Sequence, residues 1–244
     1  MQVILLTQAV RALVAKMSTL QKLSIIIPFA PNDMAWELLL SDLRNLSETT
    51  EIILVAASKE TKLEAQAFKA NVAFTVIDSA MGRALQMNAG AKMAKNPCLW
   101  FLHADSRLDA RCLRAIDNFD FVKSKLGYFG LRFLDDGPRT MGINSFGVWF
   151  RSRFLGIAFG DQGFVISKSN FEKLGMYRED LSSGEDHALI WMARKNGVKL
   201  KHLNASIKTS ARKYAQYGWG QTTRNHLRET WRQARQFSKQ ARIL

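Results

Sequence analysis

The segment Cys98-Leu99-Trp100-Phe101-Leu102-His103-Ala104-Asp105-Ser106 begins as a short apolar run and ends in polar residues. A run of this kind is typical of a buried strand. It is the last of four such runs, and helical patterns separate them. The other runs span 23–28, 51–57 and 72–77, and the helical patterns span 34–46, 60–70 and 83–95. This order predicts an α/β protein whose mainly parallel sheet is covered by helices on both faces.

The second half of the chain has a more mixed pattern. We expect a helix, a strand, an aromatic segment, a glycine-rich turn and a further helix, at 109–122, 127–133, 146–159, 160–163 and 185–196. No internal repeat or linker interrupts the chain. The sequence therefore predicts one sandwich domain over 23–217, preceded by an amphipathic helix at 1–22 and followed by a basic helical tail at 218–244.

The charge of the chain bears on its partners. Its 244 residues include 35 Lys and Arg against 21 Asp and Glu, which gives a net charge of +14, and 47% of the residues are hydrophobic. The hydrophobic content excludes intrinsic disorder. The positive charge is compatible with nucleic acid, an anionic membrane surface or phosphorylated substrates. Nine basic residues and one acid, Glu229, lie after position 206, so more than half of the excess charge is in the last sixth of the chain.

The number of cysteines and the length of the apolar stretches indicate the compartment of the protein and its relation to a membrane. Two cysteines, Cys98 and Cys112, are too few for a disulfide framework and lack the spacing of a zinc site. No apolar stretch approaches the roughly 18 residues of a membrane span. Arg11 and Lys16 interrupt the apolar pattern of the N-terminus, which argues against a signal peptide. We expect a cytoplasmic protein that is either free or peripheral on the inner face of the membrane.

Polar residues at the predicted strand ends are the first candidates for a site, because parallel sheets bind ligands at the carboxyl ends of their strands. His103 and Asp105 end the fourth run and would share one face of a strand. Alternatively, Asp105 and Ser106 cap the next helix. Arg83, Gln86 and Asn88 open the helix after Gly82, where free N–H groups favour an anion.

Two further segments could carry polar groups to a ligand. Gly160-Asp161-Gln162-Gly163 places an acid and an amide in a tight turn. Glu185 and Asp186 begin a strong helical pattern, so they either stabilise the first turn of that helix or supply a general base. As isolated strings both signals are weak.

Taken in order, six segments closely resemble glycosyltransferase family 2, in its small bacterial subgroup with GRxxQMNxGA and FLHADT-type motifs. The resemblance covers roughly 23–217. The segments are Ser24-Ile25-Ile26-Ile27-Pro28, Gly82-Arg83-Ala84-Leu85-Gln86-Met87-Asn88-Ala89-Gly90-Ala91, Phe101-Leu102-His103-Ala104-Asp105-Ser106-Arg107-Leu108, Gly160-Asp161-Gln162-Gly163, Glu185-Asp186 and Thr209-Ser210-Ala211-Arg212. The resemblance implies the GT-A nucleotide-binding sandwich and an inverting sugar transfer from a nucleotide-sugar donor, with Mg²⁺ or Mn²⁺ as cofactor.

The resemblance also implies roles for individual residues. Asp105 matches the acid of the family's metal motif, with His103 in the first position of that motif. Pro28, Arg83, Gln86 and Asn88 match donor-binding positions. A carboxylate-held cation would stabilise the charge of the departing diphosphate.

The remaining matches concern catalysis and the acceptor. Asp186 of the Glu185-Asp186 pair matches the catalytic base, which takes the proton of the acceptor hydroxyl. Asp161 and Gln162 resemble an acceptor-site or sugar-site pair, and Arg212 could neutralise leaving-group charge. Where family members end their second strand in an acid, this chain has Ala56-Ala57-Ser58, which leaves the nucleobase contact unassigned.

Two other functions compete with this interpretation. A nucleotidyltransferase would carry a glycine-rich basic loop after the first strand, and 29–34 has neither glycine nor a basic residue. A non-catalytic binding module would use the tail as a membrane or nucleic-acid contact on a degenerate scaffold. Nucleic acid is the least necessary partner, because the tail and the residues expected near the diphosphate account for much of the charge.

The acceptor is unknown, and a lipid-linked or membrane-proximal molecule is one hypothesis for it. The tail combines arginines with Leu227, Trp231 and Ala234 at near-heptad spacing, a pattern of an amphipathic helix that either packs on the domain or lies on a membrane. The hypothesis gives this tail and five aromatic residues the role of holding the acceptor. Those aromatic residues are Phe146, Trp149, Phe150, Phe154 and Phe159.

Overall fold

The apolar runs form the centre of a seven-stranded sheet in the computed structural model, which describes residues 22–44, 46, 49–59, 61, 62, 72–121, 123 and 125–243 and the side chains of the last helix up to Phe237. The sheet order is β3-β2-β1-β4-β6-β5-β7. The strands are β1 Leu23–Phe29, β2 Glu51–Ala56, β3 Thr75–Asp78, β4 Cys98–Phe101, β5 Lys125–Phe133, β6 Val165–Ser167 and β7 Lys199–Thr209. All seven residues of β1 are buried, as expected for a central strand.

The sheet is mainly parallel, which confirms the predicted fold class. β1 pairs in parallel with β2 and β4, β2 with β3, and β5 with β7. β6 is antiparallel to both of its neighbours, β4 and β5. It escaped the sequence prediction because three residues are too short to show a period.

Helices cover both faces of the sheet. They are α1 Ala35–Asp42, α2 Arg83–Met93, α3 Ala110–Asp117, α4 Met141–Phe154, α5 Lys168–Lys173, α6 Glu185–Lys195, α7 Arg212–Tyr217 and α8 Trp219–Ile243. Trp36 of α1 and Ile116 of α3 belong to one hydrophobic cluster. Met87 of α2, Phe171 of α5 and Leu189 of α6 belong to the other. The two clusters lie on opposite faces because side chains alternate along each strand.

Several predicted boundaries were wrong by a few residues. The helix expected over 34–46 ends at Asp42, and the one expected over 109–122 ends at Asp117. The fourth strand ends at Phe101, since Ser106 N–H donates to the His103 carbonyl in a turn. The amphipathic helix predicted at 1–22 and most of the helix predicted at 60–70 lie outside the described residues.

The tail helix α8 packs on the domain, but not through the residues that the sequence pattern indicated. Its buried positions are Thr222, Thr230, Gln233 and Phe237. Leu227 and Trp231 are 56% and 53% exposed. The buried face of α8 includes polar residues, so the hydropathy pattern alone predicted the wrong face of this helix to be buried. Within the described residues, none of the helices is both long enough and apolar enough to cross a membrane.

Gly90 tests how tightly α2 packs on the sheet. A Cβ at this position would lie 2.5 Å from Ile26 Cγ2 and 3.1 Å from Val55 Cγ2. We expect Gly90→Ala to lower the free energy of unfolding by about 1–3 kcal/mol, because overpacking outweighs alanine's better helix propensity. Chemical denaturation of the wild type and the variant measures the change in the free energy of unfolding. The matched control is Gly147→Ala in α4, where a Cβ meets nothing within 4 Å and a small gain of up to about 1 kcal/mol is expected.

Candidate active site

The topology brings the polar segments to one edge of the sheet. Because β6 is antiparallel to both β4 and β5, these two strands run in the same direction. The carboxyl ends of β1 to β5 and of β7 therefore share an edge, and β6 begins there. His103 and Asp105 follow β4, Gly160–Gln162 form a 3₁₀ turn shortly before β6, and Thr209 ends β7. Three motifs that are far apart in the sequence thus become neighbours.

Arg83, the first residue of α2, joins two carboxylates at the start of α6. Its Nη1 atom lies 3.4 Å from Glu185 Oε1 and 3.4 Å from Asp186 Oδ2. The side chains of both acids are only 8% exposed, whereas that of Arg83 is 49% exposed. Burial opposes the charged form of Arg83, but Asp186, Glu185 and Asp161 outweigh it and hold the pKa of Arg83 above its ordinary value.

Asp186 lies directly against the 3₁₀ turn. A Cβ at Gly160 would be 2.4 Å from Asp186 Oδ2, so only glycine leaves room for this carboxylate. Burial raises the pKa of Asp186 to about 7 against the opposing charge of Arg83, and the carboxylates of Glu185 and Asp161 add to the rise. A carboxyl group with this pKa can exchange a proton near neutral pH.

Asp105 does not cap the next helix. Asp109 does so, and it accepts hydrogen bonds from the N–H groups of Arg111 and Cys112 at 2.9 and 3.3 Å. The capping interpretation of Asp105 and Ser106 is therefore wrong. Asp105 instead accepts a hydrogen bond of 2.9 Å from Thr209 Oγ1 at the end of β7. This bond fixes one carboxylate oxygen of Asp105 at the shared edge.

His103 supplies a neutral nitrogen beside Asp105. Its Nε2 atom is buried and has no hydrogen-bond partner among the described residues. Burial, together with the charges of Arg83 and Lys213, holds the pKa of His103 well below its usual value. Because β4 ends at Phe101, His103 and Asp105 lie in the loop after the strand, so the prediction that they share a strand face was wrong.

The arrangement at 103–105 fits a divalent cation only as a partial site. Among the described residues, no group of three or more His, Cys, Asp or Glu side chains could hold a metal. One carboxylate and one neutral imidazole nevertheless suit Mg²⁺ or Mn²⁺, which commonly take their other ligands from substrate phosphates and water.

Three of the predicted binding residues are amides that hold the scaffold. Gln86 Nε2 donates to the carbonyls of Phe29 and Val55 at 2.9 and 2.7 Å, and so joins the ends of β1 and β2 to α2. Gln162 is fully buried, and its Nε2 donates to the Phe129 carbonyl at 2.7 Å. Both N–H groups of the Gln86 amide are thus used within the protein, and Gln162 uses one of its two in the same way. A direct ligand contact by either side chain stays a prediction.

Asn88, two residues further along α2, has a similar role. Its Nδ2 donates to the Tyr177 carbonyl and to Glu179 Oε1, both at 2.8 Å, and its Oδ1 accepts from the Tyr177 N–H at 3.0 Å. Burial and the carboxylates of Asp186 and Glu185 hold the pKa of the Tyr177 hydroxyl well above its usual value. Asn88 therefore positions a phenol beside the acidic pair.

The contacts that the structure gives for Pro28 and Arg212 are with residues outside this cluster. Pro28 is buried within β1, opposite Val55 of β2. Arg212 has a side chain that is 71% exposed, and its Nε donates to Ser210 Oγ at 2.9 Å and lies 3.9 Å from Asp136 Oδ2. Their proposed donor contacts are untested.

Arg151 is a site residue that the sequence did not reveal. Its Cζ atom lies 3.9 Å from the ring centroid of Phe159, and its Nε and Nη2 atoms are buried without a partner among the described residues. Burial lowers the pKa of Arg151 to about 10, while nearby Asp161 favours its charge. In the sequence it resembles its exposed neighbour Arg153, and no local signal separates the two.

Burial also raises the pKa of Asp161, against the charges of Arg151 and Arg83. Its Oδ1 atom is buried without a partner in the described part of the chain. A cationic donor and an acidic acceptor thus face the same edge with unused hydrogen-bonding capacity. This combination suits a ligand that carries both hydroxyl groups and acceptor oxygens.

Comparison with known proteins supports the fold. No protein-family model matches the chain, and no curated protein matches its sequence. Among 255 matching chains of solved structures is the mannosyltransferase PcManGT from Pyrobaculum calidifontis in complex with GDP-Man and Mn²⁺. The TM-score is 0.63 at 16% identity, over 88% of this chain and 64% of the other. The chain has a glycosyltransferase-like fold. It spans less than two thirds of the length of PcManGT.

The raised pKa of Asp186 predicts a pH-dependent stability. Between pH 3.8, the ordinary pKa of an aspartate, and about pH 7, the folded state holds a proton that the unfolded state has lost, so the free energy of unfolding falls as pH rises. Relative to wild type, Asp186→Asn should become more stable by up to about 1.4 kcal/mol per pH unit across this window. Denaturant titrations at several pH values measure the difference. Asp180→Asn, which removes a surface carboxylate whose pKa Arg178 lowers, should show no such gain.

Proposed function

We propose that the protein transfers a sugar from a nucleotide-sugar donor to an acceptor hydroxyl. The observation that carries this proposal is the placement of Asp186, a buried carboxyl with a pKa of about 7, beside Arg83 at the edge where the parallel strands end. A non-catalytic binding module has no need for a buried carboxyl group of this kind, in which Oδ1 has no hydrogen-bond partner among the described residues. The glycosyltransferase-like fold supports the same reaction class.

In the proposed reaction, ionised Asp186 accepts the proton of the acceptor hydroxyl. The oxygen then attacks the anomeric carbon of the donor sugar, and the bond from that carbon to the diphosphate oxygen breaks. The electron pair leaves with the nucleoside diphosphate. Attack from the side opposite the leaving group inverts the configuration of the carbon. Glu185 repels the charge on Asp186 and helps keep its proton affinity high enough for this role.

Arg83 has two functions in this proposal. Its pairing with Glu185 and Asp186 fixes the acids at the start of α6. Its half-exposed guanidinium also offers N–H groups to the negative charge of a donor diphosphate. Arg212 and Lys213, at the start of α7, would add positive charge at the same edge. Asp161 and Gln162 remain the proposed contacts for the sugar or acceptor.

Asp105 and His103 would hold a Mg²⁺ or Mn²⁺ ion. Such a cation, when bound, stabilises the negative charge that develops on the diphosphate. Thr209 supports this role because its hydroxyl orients Asp105, and the neutral His103 keeps a lone pair free for coordination.

Ligand-dependent thermal stability tests donor binding directly. We expect nucleoside diphosphates or their sugars to raise the melting temperature in the presence of Mn²⁺ or Mg²⁺, since a hundredfold excess over Kd adds about 2.7 kcal/mol. Asp105→Asn should reduce the metal-dependent part of the shift. Asp186→Asn should keep the shift and abolish release of nucleoside diphosphate from the donor. The absence of a shift with every nucleotide would favour the binding module, and an active Asp186→Asn protein would refute the base.

Gly160→Ala tests the position of Asp186 without changing any ionisable group. The new methyl group would collide with both carboxylate oxygens, at 2.4 and 2.5 Å. We expect release of nucleoside diphosphate to fall by about 100-fold, as for a displaced catalytic group, while nucleotide binding is retained. Gly220→Ala, where a Cβ meets nothing within 4 Å, is the matched control. Equal activity of the two variants would contradict the assigned contact.

A further inference from the structure

The outer side of α4 carries a cluster of exposed large apolar side chains, which we term the aromatic face. Its members and their exposed fractions are Ile143 (62%), Phe146 (64%), Trp149 (45%), Phe150 (47%) and Phe154 (63%). The rings pack on one another. Ring centroids are 5.5 Å apart for Phe146 and Trp149, and 5.3 Å apart both for Trp149 and Phe154 and for Phe150 and Phe154.

Contiguous apolar surface of this kind is unusual on a protein that functions alone in water. Other large apolar side chains, such as Leu38 and Met81, are exposed but lie on separate helices or turns. Phe159, which the sequence grouped with the cluster, is instead partly buried between Arg151 and His187. The aromatic face therefore ends at Phe154, and it has no covering element within the described residues.

The first turns of the basic helix α8 lie beside α4. Asn144 of α4 donates to Thr223 Oγ1 at 3.0 Å and accepts from Trp219 Nε1 at 2.6 Å. The exposed Leu227 and Trp231 follow Thr223 by one and two helical turns, so they continue the row of α8 that starts at this contact. Leu227 and Trp231 thus place further exposed apolar side chains on the row of α8 that begins at α4.

Positive charge accompanies this surface. Helix α8 contains six basic residues and one acid, Glu229, which pairs with Arg232. Arg224 and Arg228 are exposed, and neither forms an ion pair with the residues that the structure describes. A second copy of a chain with net charge +14 would bring like charges together here, which opposes self-association.

We propose that the aromatic face and the exposed side of α8 form a peripheral docking surface for an anionic membrane. Aromatic side chains enter the headgroup region, while arginines bind acidic headgroups. The inference deepens the proposed function and rests on it in one respect, since it makes the acceptor a membrane-bound molecule. The inner side of α4 supports that link, because Arg151 projects from it onto the ring of Phe159, which directly precedes the 3₁₀ turn at 160–162.

Vesicle flotation of the full chain tests the docking surface. We expect binding to phosphatidylcholine vesicles that contain phosphatidylglycerol, weak binding to phosphatidylcholine alone, and release at high salt. The double variant Phe146→Ser/Phe150→Ser and the variant Arg228→Glu should each lower the partition coefficient by about tenfold or more. Leu38→Ser, which removes a comparably exposed apolar side chain elsewhere, should bind as wild type does. No binding of the wild type at low salt would overturn the proposal.

A photo-crosslinking amino acid at position 150 identifies what covers the aromatic face. Lipid adducts in the presence of anionic vesicles support the proposal. Adducts only to residues 1–21 of the chain, or only to a second copy, would overturn it.

Nucleotide-dependent thermal shifts of the Phe146→Ser/Phe150→Ser protein should equal those of the wild type. If the wild type binds lipid but no nucleotide raises its melting temperature, the docking surface is retained and the proposed glycosyltransferase activity is rejected. If nucleotides raise the melting temperature but the protein does not bind lipid, only the docking surface is rejected.

Discussion

The charge of Arg83 compensates a group of carboxylates that would otherwise repel one another. Glu185, Asp186 and Asp161 all lie close enough to stabilise its guanidinium, and two of them are nearly buried. Buried acids are costly unless a cation or hydrogen bonds compensate them. The first residues of α2 and α6 must therefore remain in contact. This contact also constrains the position of the 3₁₀ turn, because Asp186 lies directly against Gly160.

Buried amides maintain that geometry. Gln86 fixes α2 to the ends of β1 and β2, Asn88 fixes it to the loop around Tyr177, and Gln162 fixes the 3₁₀ turn to β5. A satisfied buried amide makes its neighbours rigid, because breaking its bonds would leave polar groups without partners. Charged groups can then keep unusual protonation states. Neutral His103 and the raised pKa of Asp186 both depend on surroundings that exclude water.

Helix α4 connects this interior to the surface. Arg151 projects inward and stacks on Phe159, whereas Phe150 and Phe154 on the same helix are exposed. Phe159 in turn contacts His187 of α6, which contacts Phe237 of α8. The site, the aromatic face and the basic tail thus belong to one packed group of elements. A molecule held at the surface by α4 would lie beside the helix that contributes Arg151 to the site.

The sequence alone determined the alternation of strands and helices, and it singled out most of the charged residues that the structure brings to one edge of the sheet. Periodicity is local, so β1 to β4 could be predicted to within a few residues. Closeness in space is not local. Only the tertiary structure placed Gly160 against Asp186. It also showed that Asp105 accepts a hydrogen bond from Thr209 and does not cap a helix. Likewise, only the fold distinguishes Arg151, which stacks on Phe159, from its exposed neighbour Arg153. These contacts join residues far apart in the chain, or depend on what packs around one side of a helix, and no local pattern carries that information.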